Sequence, residues 1–358
     1  MEASAVTVIT GGRALIGGNL QLVEDAVIVL GDELILAAGR RSDIQAPAGS
    51  TTVDASGFTL VPGFIDAHVH AGFATLPEVL SGGVTTVRDL GSPPDDIWPL
   101  AAESVSPDFP GPQIIAAGQM LTAPGGYPTR AAWASQGTGR VVRSTAEARE
   151  AVAEQAEAGA CIIKVALNPP VGPTLDATAL GAIVEAAHQR DLRVTGHVYG
   201  LGELRKALDA GMDELAHMLM SPEPLPASMI DRMVAQSMTV VPTLACFFDH
   251  AQEIAVSNLR AFQGSGGRVV YGTDLGNEGP RPGIDPREVN ALARSGMSGI
   301  EIVATATTGA AAYLDLPDRG ALNEGLGADV VAVGGGPESD PIALTRVAMV
   351  WRRGRRIR

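Results

Sequence analysis

Short apolar runs alternate with helix-forming segments through the middle of the chain, from residue 61 to residue 318. Eight of these runs are apolar over most of their length, which is typical of buried parallel strands. They cover residues 63–70, 84–90, 113–117, 161–167, 193–198, 214–218, 239–244 and 268–274. Ser144 and Glu147 form a capping-box signature that opens one of the intervening helices. The alternation predicts an α/β fold, a TIM-like (β/α)₈ barrel.

The two chain ends have a different pattern. Residues 1–60 contain short β-branched or leucine-rich runs separated by Gly, Asn and Asp turn signals, and residues 319–358 return to this style. We therefore predict that both ends pair into one small β-sandwich domain beside a barrel formed by residues 61–318.

Composition narrows the class of protein. Of 358 residues, 46% are apolar and 18% charged, which suits a large buried core. The net charge of −14 repels phosphate backbones, so we expect no nucleic-acid partner. No apolar stretch is long enough for a membrane helix, the first residues lack signal-peptide features, and only two cysteines occur. We expect a cytoplasmic protein that binds a small molecule, with homo-oligomerisation left open.

Four of the six histidines lie at the ends of three predicted strands. His68 and His70, two residues apart on one strand, point to the same face. His197 and His217 end two later strands, one strand–helix step apart. In a barrel the carboxyl ends of strands carry the chemistry, and converging imidazoles are natural zinc ligands. An H-x-H pair alone also arises often by chance.

Two further residues extend this pattern. Asp274 ends the eighth strand, where it is either a turn or helix-capping residue or a partner of the His68 and His70 pair. Lys164 lies inside an apolar strand, where a charged amine is costly. It could pair with a carboxylate, act as a Schiff-base nucleophile, or react with CO₂ to give a carbamate that bridges two metals. Beside four histidines and an aspartate, the carbamate is the favoured interpretation.

With these residues in place, the chain resembles the amidohydrolase superfamily and, within that superfamily, the imidazolonepropionase-like and zinc-dependent prolidase-like branch. The matching segments span nearly the whole chain and keep the family's order: PGFIDAHVH, GVTTVRDLG, IKV, GHVYG, ELAH, GTD and GADVVAVGG. Relatives often have a Gly-Gly-His sequence after the third strand, whereas this chain has Tyr127 in place of that histidine. Substrate preferences of relatives therefore need not transfer.

The resemblance implies a role for each matched position. His68 and His70 would bind the more buried of two divalent metal ions, by default zinc, and His197 and His217 the more exposed one. Lys164, as a CO₂-derived carbamate, would bridge them. Asp274 would complete the buried metal's shell and act as general acid and base.

These features predict a binuclear metal-dependent amidohydrolase that cleaves a C–N bond in a small amide, dipeptide-like amide or cyclic amide through a metal-bridging hydroxide. The same site could instead hydrolyse a lactone or ester, or serve a cyclase, decarboxylase or isomerase. A non-catalytic barrel is a third hypothesis, which the six filled ligand positions disfavour. Tyr199 is either a catalytic hydrogen-bond donor or a packing residue. The candidate substrate contacts are Tyr127, Arg130, Trp133, Asn168, Tyr199 and Arg281.

Overall fold

A computed structural model describes residues 6–221 and 224–358. The strands are β1 (Thr7–Ile16), β2 (Gln21–Gly31), β3 (Leu34–Arg40), β4 (Thr51–Asp54), β5 (Phe58–Pro62), β6 (Phe64–Val69), β7 (Val84–Asp89), β8 (Gln113–Ala116), β9 (Met120–Thr122), β10 (Gly139–Val141), β11 (Ile163–Leu167), β12 (Val194–Val198), β13 (Glu214–Leu215), β14 (Thr239–Val240), β15 (Arg268–Val269), β16 (Val330–Gly334), β17 (Val347–Arg352) and β18 (Arg355–Arg356).

The α-helices are α1 (Leu76–Ser81), α2 (Pro94–Ser104), α3 (Thr145–Glu157), α4 (Ala177–His188), α5 (Gly200–Ala210), α6 (Ala227–Ala235), α7 (Asp249–Gly264), α8 (Pro286–Ser295), α9 (Gly299–Ala306) and α10 (Thr308–Tyr313). Short 3₁₀ helices span Ala71–Phe73, Leu244–Cys246 and Pro341–Thr345. In the part of the chain that the structure describes, no helix has both the length and the apolar character needed to cross a bilayer.

Strands from both chain ends share one mixed sheet. Its order is β18-β17-β16-β5-β1-β2-β3, with β4 also paired to β1. Register shifts on either side of Gly12 interrupt β1, so that one half pairs with β4 and the other with β5. Strands from the two chain ends therefore belong to a single hydrogen-bonded sheet. Residues 1–5 of the predicted small domain lie outside the described residues.

The middle of the chain is α/β, with parallel strands throughout. One sheet has the order β10-β9-β11-β12-β13-β14-β15, and a second has the order β6-β7-β8. All eight predicted strands are present, and each is shorter than predicted. Two strands, β9 and β10, were not predicted. Gly118, with a positive φ of 78°, separates β8 from β9, and β9 then pairs with β11. The third predicted strand therefore corresponds to β8, and β9 continues it after the interruption at Gly118.

Backbone hydrogen bonds connect the two parallel sheets on both sides. The Asp274 N–H donates to the His68 carbonyl at 2.8 Å, and the His70 N–H donates to the Leu275 carbonyl at 2.7 Å. At the other edge, the Cys161 N–H donates to the carbonyl of Ala116, at the end of β8. These bonds bring the carboxyl ends of the first and last parallel strands together.

The helix α10 packs across the amino ends of the parallel strands. The guanidinium carbon of Arg193 lies 4.7 Å from the centroid of the Tyr313 ring, a cation–π contact. The same guanidinium donates a hydrogen bond to the Tyr313 carbonyl. Ala310 and Ala311 contact buried residues from β6 and from near β14 and β15. With this end covered by apolar packing, the carboxyl ends of the strands remain as the place for a cavity.

Candidate active site

A cavity of about 300 Å³ opens at the carboxyl ends of the parallel strands. All six residues that the sequence analysis assigns to a metal site contribute to its wall. They are His68, His70, Lys164, His197, His217 and Asp274. The structure thus brings together side chains that lie as far apart in sequence as residues 68 and 274.

His68 and His70 present their Nε2 atoms to Asp274. The distances from Nε2 to Asp274 Oδ1 are 3.2 Å for His68 and 3.3 Å for His70. The Nδ1 atoms lie against backbone carbonyls, those of Ala216 at 2.9 Å and Gly91 at 3.2 Å. A carbonyl only accepts, so each Nδ1 carries the hydrogen and each Nε2 offers its lone pair to the cavity. This is the usual arrangement of a histidine ligand oriented by a second hydrogen bond.

Asp274 has a left-handed backbone conformation with φ of 62°. Its Oδ1 is buried and makes no hydrogen bond to any described residue. Burial by itself raises the pKa of Asp274, but the neighbouring imidazoles of His68, His70 and His217 outweigh burial and hold it well below its ordinary value. The carboxylate is therefore ionised at neutral pH. Its oxygens and the His68 and His70 nitrogens lie within 4.8 Å of one another, a group that could hold a cation.

A buried carboxylate that the sequence analysis missed supports this arrangement. Asp66 accepts hydrogen bonds from the Thr273 hydroxyl at 2.6 Å and from the Thr273 and His68 backbone N–H groups at 3.1 Å. Burial raises the pKa of Asp66 to about 7, although these hydrogen bonds act to lower it. The side chain ties the strand of the two histidines to the segment that carries Asp274.

His197 and His217 form the second half of the cluster. Their ring centroids are 4.7 Å apart, and the His217 ring lies 4.8 Å from that of His68. His217 Nδ1 is 2.8 Å from the Thr243 hydroxyl, and His197 Nε2 is 3.0 Å from the Asn168 amide. Burial lowers the pKa of His197 to about 4 and that of His217 well below its ordinary value. Both rings are neutral, the form in which imidazole binds metal.

Lys164 extends its amine into the same cluster. The Nζ atom is buried and has no hydrogen-bond partner among the described residues. Burial lowers the pKa of this amine from 10.5 to about 7, despite the opposing effect of Asp274. Near neutral pH a substantial fraction of Lys164 is therefore the neutral, nucleophilic amine.

The predicted substrate contacts divide into two groups. Tyr127, Asn168 and Tyr199 line the cavity. Trp133 packs beside it, with ring centroid distances of 5.4 Å to His70 and 5.9 Å to Tyr127.

The two predicted arginines are placed elsewhere. Arg130 and Arg281 are exposed and are not part of the cavity wall. The Arg281 N–H donates to the Asp285 carboxylate, which also caps α8. Neither arginine therefore lines the cavity to which the sequence analysis assigned it.

Several cavity residues have no signal in the sequence. Phe247, Phe248, Leu219 and Met120 give the wall an apolar surface. Cys246 also lines the cavity, with Sγ within 4.8 Å of His217 and Asp274 ligand atoms.

Comparison with known proteins gives one family match and several similar proteins. The model of the amidohydrolase family matches residues 59–357. An ochratoxinase from Aspergillus niger is 26% identical over 429 residues, covering 99% of this chain and 87% of that protein. An enamidase from Eubacterium barkeri is 25% identical over 292 residues, covering 75% of this chain and 71% of that protein. A crystal structure of a Xaa-Pro dipeptidase with bound methionine superposes with a TM-score of 0.82 and 22% identity, covering 98% of this chain and 99% of that one.

Proposed function

The chain belongs to the amidohydrolase family, and on this premise we propose that it is a metal-dependent hydrolase that cleaves a C–N bond of a small amide, dipeptide-like amide or cyclic amide. The family match confirms the resemblance that the sequence motifs indicate. The names enamidase and dipeptidase denote cleavage of amide bonds in two similar proteins, which supports the choice of bond.

The observation that carries the proposal is a set of buried ligand atoms without partners. Within the described part of the chain, His68 Nε2, Lys164 Nζ and Asp274 Oδ1 are buried and make no hydrogen bond. Buried polar atoms are rarely left without a hydrogen-bond partner. Three such atoms in one cluster therefore support the proposal that a further group binds between them. Imidazole and carboxylate are ligands typical of zinc. The donor set therefore fits a divalent cation.

We assign the ligands in two groups. His68, His70 and Asp274 would hold one cation, and His197 and His217 a second, with Lys164 as a carbamate contributing to both sites. The apolar surroundings of Lys164 and its lowered pKa favour the carbamate, because only a neutral amine reacts with CO₂. Bound cations supply an ionised water at neutral pH and polarise the scissile carbonyl.

The chain's own residues then handle protons and position the substrate. Asp274 is ionised in the cluster and accepts a proton at Oδ1 or Oδ2, which it delivers to the departing nitrogen as general acid. Tyr199 lines the cavity and is placed to donate a hydrogen bond to the substrate oxygen on which negative charge develops. The aromatic rings of Tyr127 and Trp133 exclude water beside His197 and His70.

The same proposal extends to the architecture. We take residues 61–318 as a closed (β/α)₈ barrel, because hydrogen bonds join the two parallel sheets at both edges. Residues 1–60 and 319–358 then form a small β domain. The interruption of β1 at Gly12 would fold the two halves of its sheet onto each other, which gives a sandwich. The pairing of β5 with β16 supports this arrangement.

The test is a comparison of activity with metal content. Protein reconstituted with Zn²⁺, Mn²⁺ or Co²⁺ is assayed against amide and cyclic-amide substrates beside lactones and esters, and its metal is counted by mass spectrometry. We expect about two metal ions per chain and faster cleavage of amides. Full activity after exhaustive chelation would contradict metal dependence, and a preference for lactones or esters would contradict the choice of bond.

A further inference from the structure

Aromatic side chains pack directly beside the cluster, and one of them, Tyr127, lines the cavity. The Tyr127 ring lies 5.0 Å from that of His197, and the Trp133 ring lies 5.4 Å from that of His70. Phe73 packs on Trp133, with ring centroids 6.0 Å apart. Contacts of this kind bury apolar substrate groups and place them against the reacting bond.

The rest of the wall is also largely apolar. Met120, Val198, Leu219, Phe247 and Phe248 line the same cavity. Phe248 is 42% exposed, a high value for a large apolar side chain, which suits a residue at the mouth. A cavity of about 300 Å³ with such a surface is suited to a compact apolar ligand with few polar contacts.

Charge at the mouth is negative. Apart from the six residues of the cluster, Glu278 is the charged side chain on the described cavity wall, and it is exposed and makes no ion pair to a described residue. The chain as a whole also carries a net charge of −14. This field opposes the approach of an anion.

No guanidinium is available on the described cavity wall to pair with an anionic substrate. Arg130 and Arg281 are exposed elsewhere. Arg287 lies near the mouth, but its guanidinium stacks on the Phe248 ring at 4.5 Å and donates to the Phe247 carbonyl at 3.0 Å. A substrate carboxylate would therefore lose hydration without gaining the bidentate partner that usually compensates it.

From these observations we infer that the substrates are uncharged amides that carry an apolar aryl or alkyl group and no carboxylate next to the scissile bond. The inference rests on the proposed amide hydrolysis and specifies its substrate class. It separates this chain from a dipeptide-cleaving enzyme, whose substrates end in a carboxylate. Glu278 enforces the selection at the mouth, and Phe248 binds the apolar group.

The experiment uses substrate pairs that differ only in the carboxylate. N-acyl-phenethylamine is compared with N-acyl-phenylalanine, and N-acyl-pyrrolidine with N-acyl-proline, on the metal-reconstituted wild-type protein. We expect kcat/KM to be at least about tenfold higher for the neutral member of each pair. Binding of the same compounds is measured by calorimetry, so that recognition is read even without turnover.

The outcomes separate the two claims. Preference for the carboxylate member in turnover or binding overturns the substrate class and leaves amide hydrolysis standing. Tighter binding of the neutral member without cleavage supports the substrate class and contradicts the hydrolysis. Failure of both members to bind overturns the substrate class.

Variants test the two named residues. Glu278→Gln is expected to reduce the ratio of neutral to anionic kcat/KM about threefold or more, whereas Glu157→Gln, on the exposed side of α3, leaves the ratio unchanged. Phe248→Ala is expected to raise KM for the phenethylamine substrate more than kcat falls. An unchanged ratio in Glu278→Gln overturns the role of Glu278, and an unchanged KM in Phe248→Ala overturns that of Phe248.

Discussion

The guanidinium of Arg88 lies 2.7 Å from the carboxylate of Glu214, and both side chains are almost completely buried between β7 and β13. The Arg88 Nε–H also donates to the Ala67 carbonyl at 2.7 Å, on the strand of the two histidines. A charge pair so far from water fixes the relative position of three strands beneath the cavity.

Breaking this pair should cost far more stability than breaking an exposed one. Glu214→Gln leaves the Arg88 charge buried without a counter-ion, so we expect a loss of about 3–5 kcal/mol in the free energy of unfolding. The control is Glu185→Gln, whose exposed pair with Arg149 contributes about 0.2–1 kcal/mol. Urea denaturation of the metal-free variants measures both. Equal effects of the two substitutions would contradict the structural importance of the buried pair.

Lys164 provides a direct test of the carbamate, because the sequence has one other lysine, Lys206. Wild-type protein treated with ¹³C-bicarbonate and metal should show one carbamate carbon by NMR, which Lys164→Ala abolishes and Lys206→Ala retains. Lys164→Ala should also lose bound metal and activity, and short carboxylic acids should partly restore both. Two metal ions and full activity in Lys164→Ala would show that no carbamate is needed.

The buried amine also predicts how stability depends on pH in the metal-free protein. Burial lowers the pKa of Lys164 to about 7 from the value of 10.5 expected in the unfolded chain. Between these values the unfolded state binds more protons, so the contribution of Lys164 to the free energy of unfolding rises with pH. Denaturation of wild type and Lys164→Met from pH 7 to 10 should show a shallower increase in the variant, while Lys206→Met follows wild type. Parallel curves for wild type and Lys164→Met would contradict the lowered pKa.

Asp274→Asn separates proton transfer from folding. Asparagine tolerates the positive φ of 62° at this position, so the backbone should persist. The amide does not accept a proton at neutral pH, so we expect kcat to fall about 10²–10⁴-fold, the usual contribution of a general acid–base. Metal content is measured in parallel, and Asn277→Ala, at the exposed rim, serves as a control for local disturbance. Unchanged turnover in Asp274→Asn removes this residue from the mechanism.

Patterns with a fixed period were the most informative part of the sequence. The alternation of side chains along a strand places His68 and His70 on one face, and the structure has both imidazoles in the cavity. An amine in an apolar strand marks Lys164 as unusual, and the structure leaves it buried without a described partner. Each of these signals depends on strand geometry, which a few residues determine locally.

Loop-dependent features escaped prediction for a physical reason. Thr243 adopts a positive φ of 47°, unusual for a β-branched residue, and the 3₁₀ helix that follows places Cys246 in the cavity. The break at Gly118 likewise creates β9 and adds Met120 to the wall. The backbone of Arg281 is held by its bond to Asp285. These conformations result from tertiary packing rather than from local residue preferences.

The hydrogen bond from Thr273 to Asp66 joins positions 207 residues apart. During synthesis the ribosome delivers the His68 and His70 imidazoles early and the Asp274 carboxylate only after three-quarters of the chain has emerged. Loop closure over such a distance is slow, so the first and last strands should meet late in folding. A nascent chain that ends before Thr273 therefore contains the His68 and His70 imidazoles but lacks the Asp274 carboxylate. We expect tight metal binding only after the completed polypeptide has been released.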